Sequence, residues 1–305
     1  MEACGGAHFR GRELAKLGHG IKLIPPAYVK PFIKRQRNDA ADAEAICEAV
    51  QRPNMRFVPV KSEETQGAAS IFRVRELLIR QRTQAINALR GHLTEYGWAV
   101  PQGAANARRL AALAADEDAG LPASARASLT VLTATLAQPD AQIETLDAGN
   151  DRRAKTDEVA RRLMTIPGIG PLIATAIATL APPPEAFRKG RDFTAWLGLT
   201  PRQHSTGRKQ RPGATTALPG HCVPQCPAGQ WMGERSLRPL LIIGANSVII
   251  KRHCHASARP GAWLAGMLER KPAMLVRAAL ASKMARIVWA LMKSGEIYRA
   301  PAMAA

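Results

Sequence analysis

The feature that most constrains the fold is a long stretch of helical periodicity over residues 62–96. Apolar residues recur there every three or four positions, and arginines occupy the other faces. The apolar positions are Ile71, Val74, Leu77, Leu78, Ala85, Leu89 and Leu93, and the arginines are Arg73, Arg75, Arg80, Arg82 and Arg90. This spacing predicts one long amphipathic helix.

A second helical pattern covers residues 124–164, and a shorter alanine-rich pattern covers residues 110–119. We expect the longer one to be interrupted around Pro139, because proline cannot donate a helical hydrogen bond. Two long helices joined by polar turns predict an antiparallel coiled-coil arm. Such an arm would hold a protein partner or a second copy of the chain, and its basic face is equally well explained as solvated surface.

The charge of the chain points to a polyanionic partner. Its 305 residues include 43 Lys and Arg against 24 Asp and Glu, a formal net charge of +19. Because arginine is spread along most of the chain, nucleic acid is the first candidate. The longest apolar runs, at residues 172–181 and 240–250, fall short of the ~20 residues that a membrane-spanning helix needs, so we expect no membrane span.

The first residues have neither the basic start nor the apolar core of a secretory signal, so we expect a cytoplasmic protein. Five scattered cysteines, an odd number, fit a reducing compartment and do not predict a disulfide framework. Cys222 and Cys226 lie near His253, Cys254 and His255, but their spacing is too loose to favour a zinc site.

Residues 166–180 combine a tight glycine turn with an apolar helix. Pro167, Gly168, Ile169 and Gly170 form the turn, as in a helix-hairpin-helix, where glycines allow close approach and free N–H groups at the next helix start attract phosphate. We therefore expect Gly168 and Gly170 to contact nucleic acid. An ordinary corner between two helices with a glycine cap explains the same residues equally well.

About thirty residues later, a predicted loop places the hydroxyls of Ser205 and Thr206 in a cationic setting. The neighbouring basic residues are Arg202, His204, Arg208, Lys209 and Arg211. A hydroxyl beside cations is a candidate nucleophile for phosphate chemistry. A polar turn with no chemical role is the alternative.

Residues 30–48 contain a candidate metal site. Asn38 or Asp39 caps a predicted helix, and Asp39 and Asp42 are three residues apart on one face near its start. Two carboxylates at that spacing can share a Mg²⁺ ion. The preceding cations Lys34, Arg35 and Arg37 would then hold a phosphate backbone over the metal. A capped helix start whose acids favour the helix dipole is the alternative.

The N-terminal segment resembles part of an α/β layer. A helix is predicted at residues 8–17 and strands at 21–24 and 56–60. A parallel sheet normally contains more strands than these, so we expect a missing piece before Met1. Towards the other end, helices are predicted at residues 232–250, with Pro239 inside, and at 273–293, followed by a loose tail.

Seven stretches together resemble the IS110-family transposases, in particular the IS1111-like branch, over nearly the whole chain. In order they are MEACGGAH, LIPPAYVKPFIKRQRNDAADAEAICEA, FVPVKSEETQ, RQRTQAINALRGHLTEYG, TIPGIGPLIATA, FRKGRDFTAWLGLTPRQHSTGRKQR and MGERSLRPLLIIGA. The resemblance implies an α/β plus α fold in three parts. These are a partial RuvC-like, ribonuclease-H-type DEDD domain at residues 1–61, a helical coiled-coil arm at 62–160, and a mostly helical C-terminal transposase domain at 161–295, followed by a loose tail at 296–305.

The resemblance also implies the roles of individual residues. Glu2 falls at the family's second acidic position, and Asp39 and Asp42 match the closing pair. Ser205 falls in the loop of the catalytic serine, with Thr206 as the alternative by one residue. The acids of such a transposase bind Mg²⁺ and the serine attacks a DNA phosphate. Some members choose their target through a structured guide RNA encoded by the element, and a homo-oligomer is implied.

Three departures from the family pattern predict a truncated and impaired copy. The family's first acid would lie upstream of Glu2, residues 217–231 look like an insertion, and Pro239 stands where a basic residue is expected within a helix. The alternative function is a catalytically dead remnant that binds DNA or RNA. A junction nuclease that uses only its acids, and a basic nucleoid protein, are further alternatives.

Overall fold

A computed structural model describes residues 1–33, 38–55, 57–200, 203–206, 209–212, 234, 236–254 and 262–299. At residues 104, 137, 203–206, 209–212, 251–254 and 262 only the backbone is described. The chain forms two compact units, one made of Met1–Ala69 with Ala154–Ala305, and the other of Ser70–Arg153.

Helices dominate the described residues, with one two-stranded hairpin among them. The helices are α1 (Ala7–Lys16), α2 (Pro26–Val29), α3 (Asp39–Val50), α4 (Glu63–Glu95), α5 (Ala107–Ala115), α6 (Ala123–Thr156), α7 (Glu158–Leu163), α8 (Pro171–Leu180), α9 (Gly190–Trp196), α10 (Leu237–Cys254), α11 (Ala262–Arg270) and α12 (Ala273–Ser294). The strands are β1 (Gln203–Thr206) and β2 (Lys209–Pro212). None of the described helices is long and apolar enough to cross a membrane.

The unit Ser70–Arg153 is built on the two long helices α4 and α6, and the prediction of a long helix over residues 62–96 is confirmed. Its core is a continuous apolar cluster from α4, α5, α6 and their connections. The buried members are Ile86, Leu89, Leu93, Val100, Leu110, Ala114, Ala119, Leu121, Leu129 and Leu136. The indole N–H of Trp98 donates to the carbonyl oxygen of Ala119 at 3.1 Å, which links the α4–α5 connection to the segment that follows α5.

Two ion pairs fix the direction of α6 relative to α4. Arg75 donates from Nε and Nη2 to both carboxylate oxygens of Asp147, at 2.5 and 3.0 Å. Arg82 donates to Asp140 at 2.7 Å. The arginines are seven residues apart on α4, and their partners are seven apart on α6 in the opposite order. The two helices are therefore antiparallel, with one pair in each heptad.

The predicted interruption at Pro139 is wrong, because α6 continues through that residue to Thr156. Proline removes one helical hydrogen bond, but Leu136 and Ile143 on either side are buried and Asp140 is paired with Arg82. Tertiary packing holds a helix against a local preference. The break occurs instead at Asp157, whose carboxylate caps α7 by accepting from the N–H of Ala160 at 3.0 Å.

The N-terminal segment is tied together by single β-bridges. Glu2 pairs with Ile24 in parallel, and Leu23 pairs with Val58 antiparallel. The predicted strands are therefore shortened to isolated bridges in the described residues, around the fully buried Leu23 and Ile24. Ile24 joins Val29, Ala45 and Ala49 in a small core under α3. A larger α/β layer stays a prediction.

In the C-terminal part, α7, α9, α10 and α11 pack against α12, and α8 packs against α7 and α10. α12 closely matches the helix predicted at residues 273–293. The turn before α8 crosses α10 at two glycines. Gly168 has φ +86°, and a Cβ built on it would lie 2.6 Å from both the carbonyl oxygen of Gly244 and Cγ2 of Val248. Side chains at either crossing position would separate the two backbones.

The prediction of a mid-helix proline at Pro239 is wrong. α10 begins at Leu237, so Pro239 lies in its first turn. N–H groups in the first turn have no acceptor within the helix, so proline removes no hydrogen bond there. Pro239 therefore gives no structural reason to expect a disrupted helix in this copy.

Candidate functional site

The candidate nucleophile lies on a β-hairpin and not in the loop that the sequence predicted. β1 and β2 pair antiparallel, with Ser205 opposite Gln210 and Thr206 opposite Lys209. The preceding pair is His204 with Arg211. In the sequence only Gly207 and Arg208 separate the two strands, and a two-residue spacing that includes glycine is typical of a β-hairpin.

The hairpin separates the two hydroxyl candidates. Adjacent positions along a strand belong to opposite faces, so Ser205 and Thr206 occupy different faces of the hairpin. In register, Thr206 belongs with the cation Lys209 and Ser205 with the neutral Gln210. The one-residue alternative from the sequence is thus a choice between the two faces of the hairpin.

The predicted acidic residues come from two elements. Asp39 and Asp42 lie in the first turn of α3, capped by the Asn38 side chain, which accepts from the N–H of Ala41 at 2.7 Å. Asp39 is exposed and Asp42 half-buried. Glu2 lies at the bridge to Ile24. The predicted cap and helix start are confirmed, and they are also what the non-catalytic alternative expects.

A divalent metal fits the pair on α3 by its chemistry, because two carboxylates offer the oxygen ligands that such ions prefer. Neither aspartate forms a salt bridge with another described residue. Within the described part of the chain, however, no group of three or more His, Cys, Asp or Glu is placed to hold a metal. Glu2 therefore does not join Asp39 and Asp42 in one such group.

Several predicted residues lie outside the described part of the chain or are described by backbone alone. Lys34, Arg35, Arg37, Arg202 and Arg208 fall outside it, as do residues 217–231 with Cys222 and Cys226. Lys209 and Arg211 are placed on β2 by backbone only. The nucleic-acid role of these cations stays a prediction.

The glycine turn forms as predicted and opens α8 at Pro171. The space beside Gly168 is filled by α10, so packing alone requires that glycine. A Cβ on Gly170 would meet nothing within 4 Å, and Gly170 is the N-cap residue of α8. Of the two predicted phosphate contacts, Gly170 is the one that packing leaves open.

A cavity of about 880 Å³ brings the N-terminal segment next to the C-terminal helices. Its described lining includes Phe57, Lys61, Arg188, Asp192 and Trp196. The backbone N–H of Lys61 donates to Nδ1 of His8 at 3.2 Å, and Arg12 donates to the carbonyl oxygen of Lys61 at 2.8 Å. These bonds hold the residue 57–62 rim of the cavity against α1.

The distribution of charge was missed by the sequence analysis. Residues 161–299 contain 21 Lys and Arg against 5 Asp and Glu, so they carry +16 of the formal +19. Helices α10 and α12 contain no acidic residue at all. Counting charge by segment in place of the whole chain would have assigned the polyanion partner to the C-terminal part.

Two family models of known proteins match segments of this chain. Residues 160–218 match the model of the transposase IS116/IS110/IS902 family. Residues 14–98 match a second model, described as a transposase and named for the DEDD acids of IS110. A DEDD acidic set indicates dependence on a divalent metal.

Individual relatives are similar over nearly the whole chain. A putative transposase of Sinorhizobium fredii, y4pF/y4sB, is 42% identical over 98% of this chain and 73% of its own length. A probable family 20 transposase of Pseudomonas aeruginosa is 44% identical over 98% of this chain and 85% of its own. The transposase for insertion sequence element IS1111A of Coxiella burnetii is 35% identical over 98% and 78%.

Proposed function

Because the chain belongs to the IS116/IS110/IS902 family of transposases, we propose that it cuts and rejoins DNA through a serine hydroxyl assisted by Mg²⁺. Ser205 is the proposed nucleophile and Thr206 the alternative. In this step the serine oxygen bonds to a DNA phosphorus and loses its proton. The displaced DNA oxygen leaves with a proton, and the phosphoserine ester is later reversed by a DNA hydroxyl.

The single observation that carries this proposal is the hairpin β1–β2, which lies within the part of the chain matched by the family model. It holds two hydroxyl residues in register with Gln210 and Lys209 and next to the His204–Arg211 pair. A hydroxyl needs nearby cations or a base to attack a phosphate, since it is weak at neutral pH. By this register the cations Lys209 and Arg211 share a face with Thr206, and Ser205 lies on the other face with Gln210, so the choice of Ser205 rests on the family resemblance.

Asp39 and Asp42 are the residues that would hold the metal. When bound, Mg²⁺ would neutralise charge on the phosphate and lower the pKa of the attacking hydroxyl. Asn38 fixes the helix start that presents the two carboxylates. Glu2, the third ligand expected from the sequence, does not form a group with these two aspartates among the described residues, so the proposed metal site rests on Asp39 and Asp42.

We further propose that the N-terminal segment is part of a RuvC-like domain and that α4 and α6 form a coiled-coil arm joining two copies of the chain. The heptad spacing of the Arg75–Asp147 and Arg82–Asp140 pairs supports the arm. The charge of residues 161–299 supports DNA as partner and allows a structured guide RNA as a second. Action in the cytoplasm is part of the same proposal.

The test is to trap the covalent intermediate. Duplex DNA carrying the ends of a related insertion sequence, nicked so that the cleaved product cannot rejoin, is incubated with Mg²⁺ and the protein. We expect a protein–DNA adduct that survives denaturation. Ser205→Ala should abolish the adduct, while Thr206→Ala should leave it.

The other outcomes decide between the alternatives. Loss with Thr206→Ala alone would make Thr206 the nucleophile. Cleavage without any adduct, insensitive to both substitutions, would identify a nuclease that uses only its acids. DNA binding without cleavage under all conditions would identify the catalytically dead remnant.

A further inference from the structure

A basic surface forms where α9 meets α12, from residues that do not belong to the hairpin. Gly190 begins α9, and a Cβ built there would lie 3.2 Å from Cε3 of Trp289 and 3.5 Å from Cα and Cβ of Arg286. The Trp289 indole donates to the carbonyl oxygen of Pro184 at 3.1 Å. The absence of a side chain on Gly190 therefore lets the two helices touch.

This contact gathers four cations, which we call the α9–α12 cations. They are Lys189, Arg191, Arg286 and Lys293. The first two flank Gly190 on the chain, and the other two lie one turn on either side of Trp289 on α12. Nζ of Lys293 is 5.2 Å from the centre of the Trp289 ring. All four residues are exposed.

The α9–α12 cations are not neutralised by the protein. Within the described residues none of them has a carboxylate within 4.0 Å. The acids near these cations in the sequence are Glu185 and Glu296, which are both exposed, and Asp192, which accepts from the backbone N–H of Lys189 at 3.2 Å. In the other unit, by contrast, Arg75 and Arg82 are paired with aspartates.

The chemistry of this surface fits a phosphate backbone better than nucleobases. Base recognition in single strands relies on aromatic rings with a free face. Trp289 is committed to the Gly190 contact and to Pro184, and its ring is covered by Lys293. What remains exposed is long flexible cations, which position a duplex without reading its sequence.

We propose that the α9–α12 cations are a second DNA-contact surface, separate from the serine hairpin, that binds the phosphodiester backbone of duplex DNA without sequence preference. The proposal rests on DNA being the substrate, as in the proposed function, but not on Ser205. Arg286 and Lys293 are seven residues apart on α12, a rise of roughly 10 Å, which allows them to contact successive phosphates. The surface would hold DNA flanking the cleavage site.

The test measures binding of a 30-base-pair duplex of arbitrary sequence, without Mg²⁺, over a series of salt concentrations. The variant replaces all four α9–α12 cations with glutamine. Each lost phosphate contact lowers the salt slope by about 0.9, so the slope should fall by between three and four. Affinity near 0.1 M salt should fall on the order of 100-fold or more.

A matched control removes the same charge from the other unit. Arg80, Arg108, Arg109 and Arg152 are exposed there and lie outside the surface. Replacing these four arginines with glutamine should leave the salt slope within about one unit of that of the parent protein. The slope depends on the number of phosphate contacts, and a change in net charge alone removes none of them. A Lys189→Arg/Lys293→Arg variant should bind as the parent does.

Three results would overturn the proposal. The first is an unchanged salt slope in a quadruple variant that keeps its thermal unfolding midpoint. The second is an equal loss of salt slope in the control variant. The third is a quadruple variant that loses affinity for a structured RNA of equal length but keeps its affinity for the DNA duplex. Adduct formation at saturating DNA is scored separately. The quadruple variant should still form the adduct there, so a failed Ser205 assignment cannot be confused with a failed surface.

Discussion

The backbone of Gly168 lies directly against that of Gly244, so neither residue has room for a side chain. A Cβ on Gly168 would lie 2.6 Å from the Gly244 carbonyl oxygen. Gly168 also has φ +86°, which only glycine adopts at low cost. The turn that opens α8 is thus part of the packing between α8 and α10.

Gly244→Ala should lower the free energy of unfolding by about 2–3 kcal/mol, because the added methyl forces the helices apart. Denaturant unfolding measures the change. The control is Gly149→Ala in α6, where a Cβ meets nothing within 4 Å. That substitution should raise stability by about 0.5–1 kcal/mol through helix propensity. A neutral Gly244→Ala would contradict the close crossing.

The two helical prolines should respond differently to replacement. Pro139→Ala restores an N–H inside α6 and should raise the free energy of unfolding by about 1–2 kcal/mol. Removing proline relieves a penalty of ~3 kcal/mol, and the loss of the buried ring contacts cancels part of that gain. Pro239→Ala in the first turn of α10 should change it by less than about 0.5 kcal/mol. Thermal unfolding of both variants compares them. Equal stabilisation would place Pro239 inside a helix.

The Arg75–Asp147 pair should show a measurable coupling energy. In a double-mutant cycle with Arg75→Ala and Asp147→Ala, we expect about 1 kcal/mol, because the pair is bidentate and partly shielded. Arg82 with Asp140, a single and more exposed bond, should give about 0.5 kcal/mol. Denaturant unfolding is the measurement. Zero coupling for both would argue against the antiparallel register.

Asp39→Asn should lower Mg²⁺-dependent DNA cleavage by about 100-fold or more, while duplex binding without metal stays within a few-fold of the parent, because the amide is a poor ligand but adds no repulsion. Cleavage and binding assays on the same preparation separate the two effects. Glu48→Gln, on the same helix and paired with Arg52 on the surface, is the control and should leave both unchanged. Parent-like cleavage by Asp39→Asn would leave the acids with a capping role only.

Local patterns predicted the helices well. The 62–96 pattern became α4 at Glu63–Glu95, and the 273–293 pattern became α12 at Ala273–Ser294, because amphipathic spacing depends only on neighbours along the chain. The cap at Asn38 followed for the same reason. Motif resemblance gave the family, which the comparisons confirmed.

The remaining features depend on contacts between residues distant in the sequence. The residues around Gly168 do not predict its contact with Gly244. The residues around Pro139 do not predict that packing against α4 keeps α6 helical there. The strand at Ser205 required its partner at Gln210, and β propensity depends on such cross-strand neighbours. The placement of Gly190 against Trp289 likewise appears only when α9 and α12 meet.

Because the Arg75–Asp147 and Arg82–Asp140 pairs are seven residues apart on each helix, the two long helices can be lengthened without loss of register. A heptad inserted in α4 and matched by one in α6 would extend the pair by roughly 10 Å and leave every pairing in phase. An insertion of any other length, or in one helix alone, would rotate one face away from its partner. Length variation among relatives should therefore come in matched steps of seven.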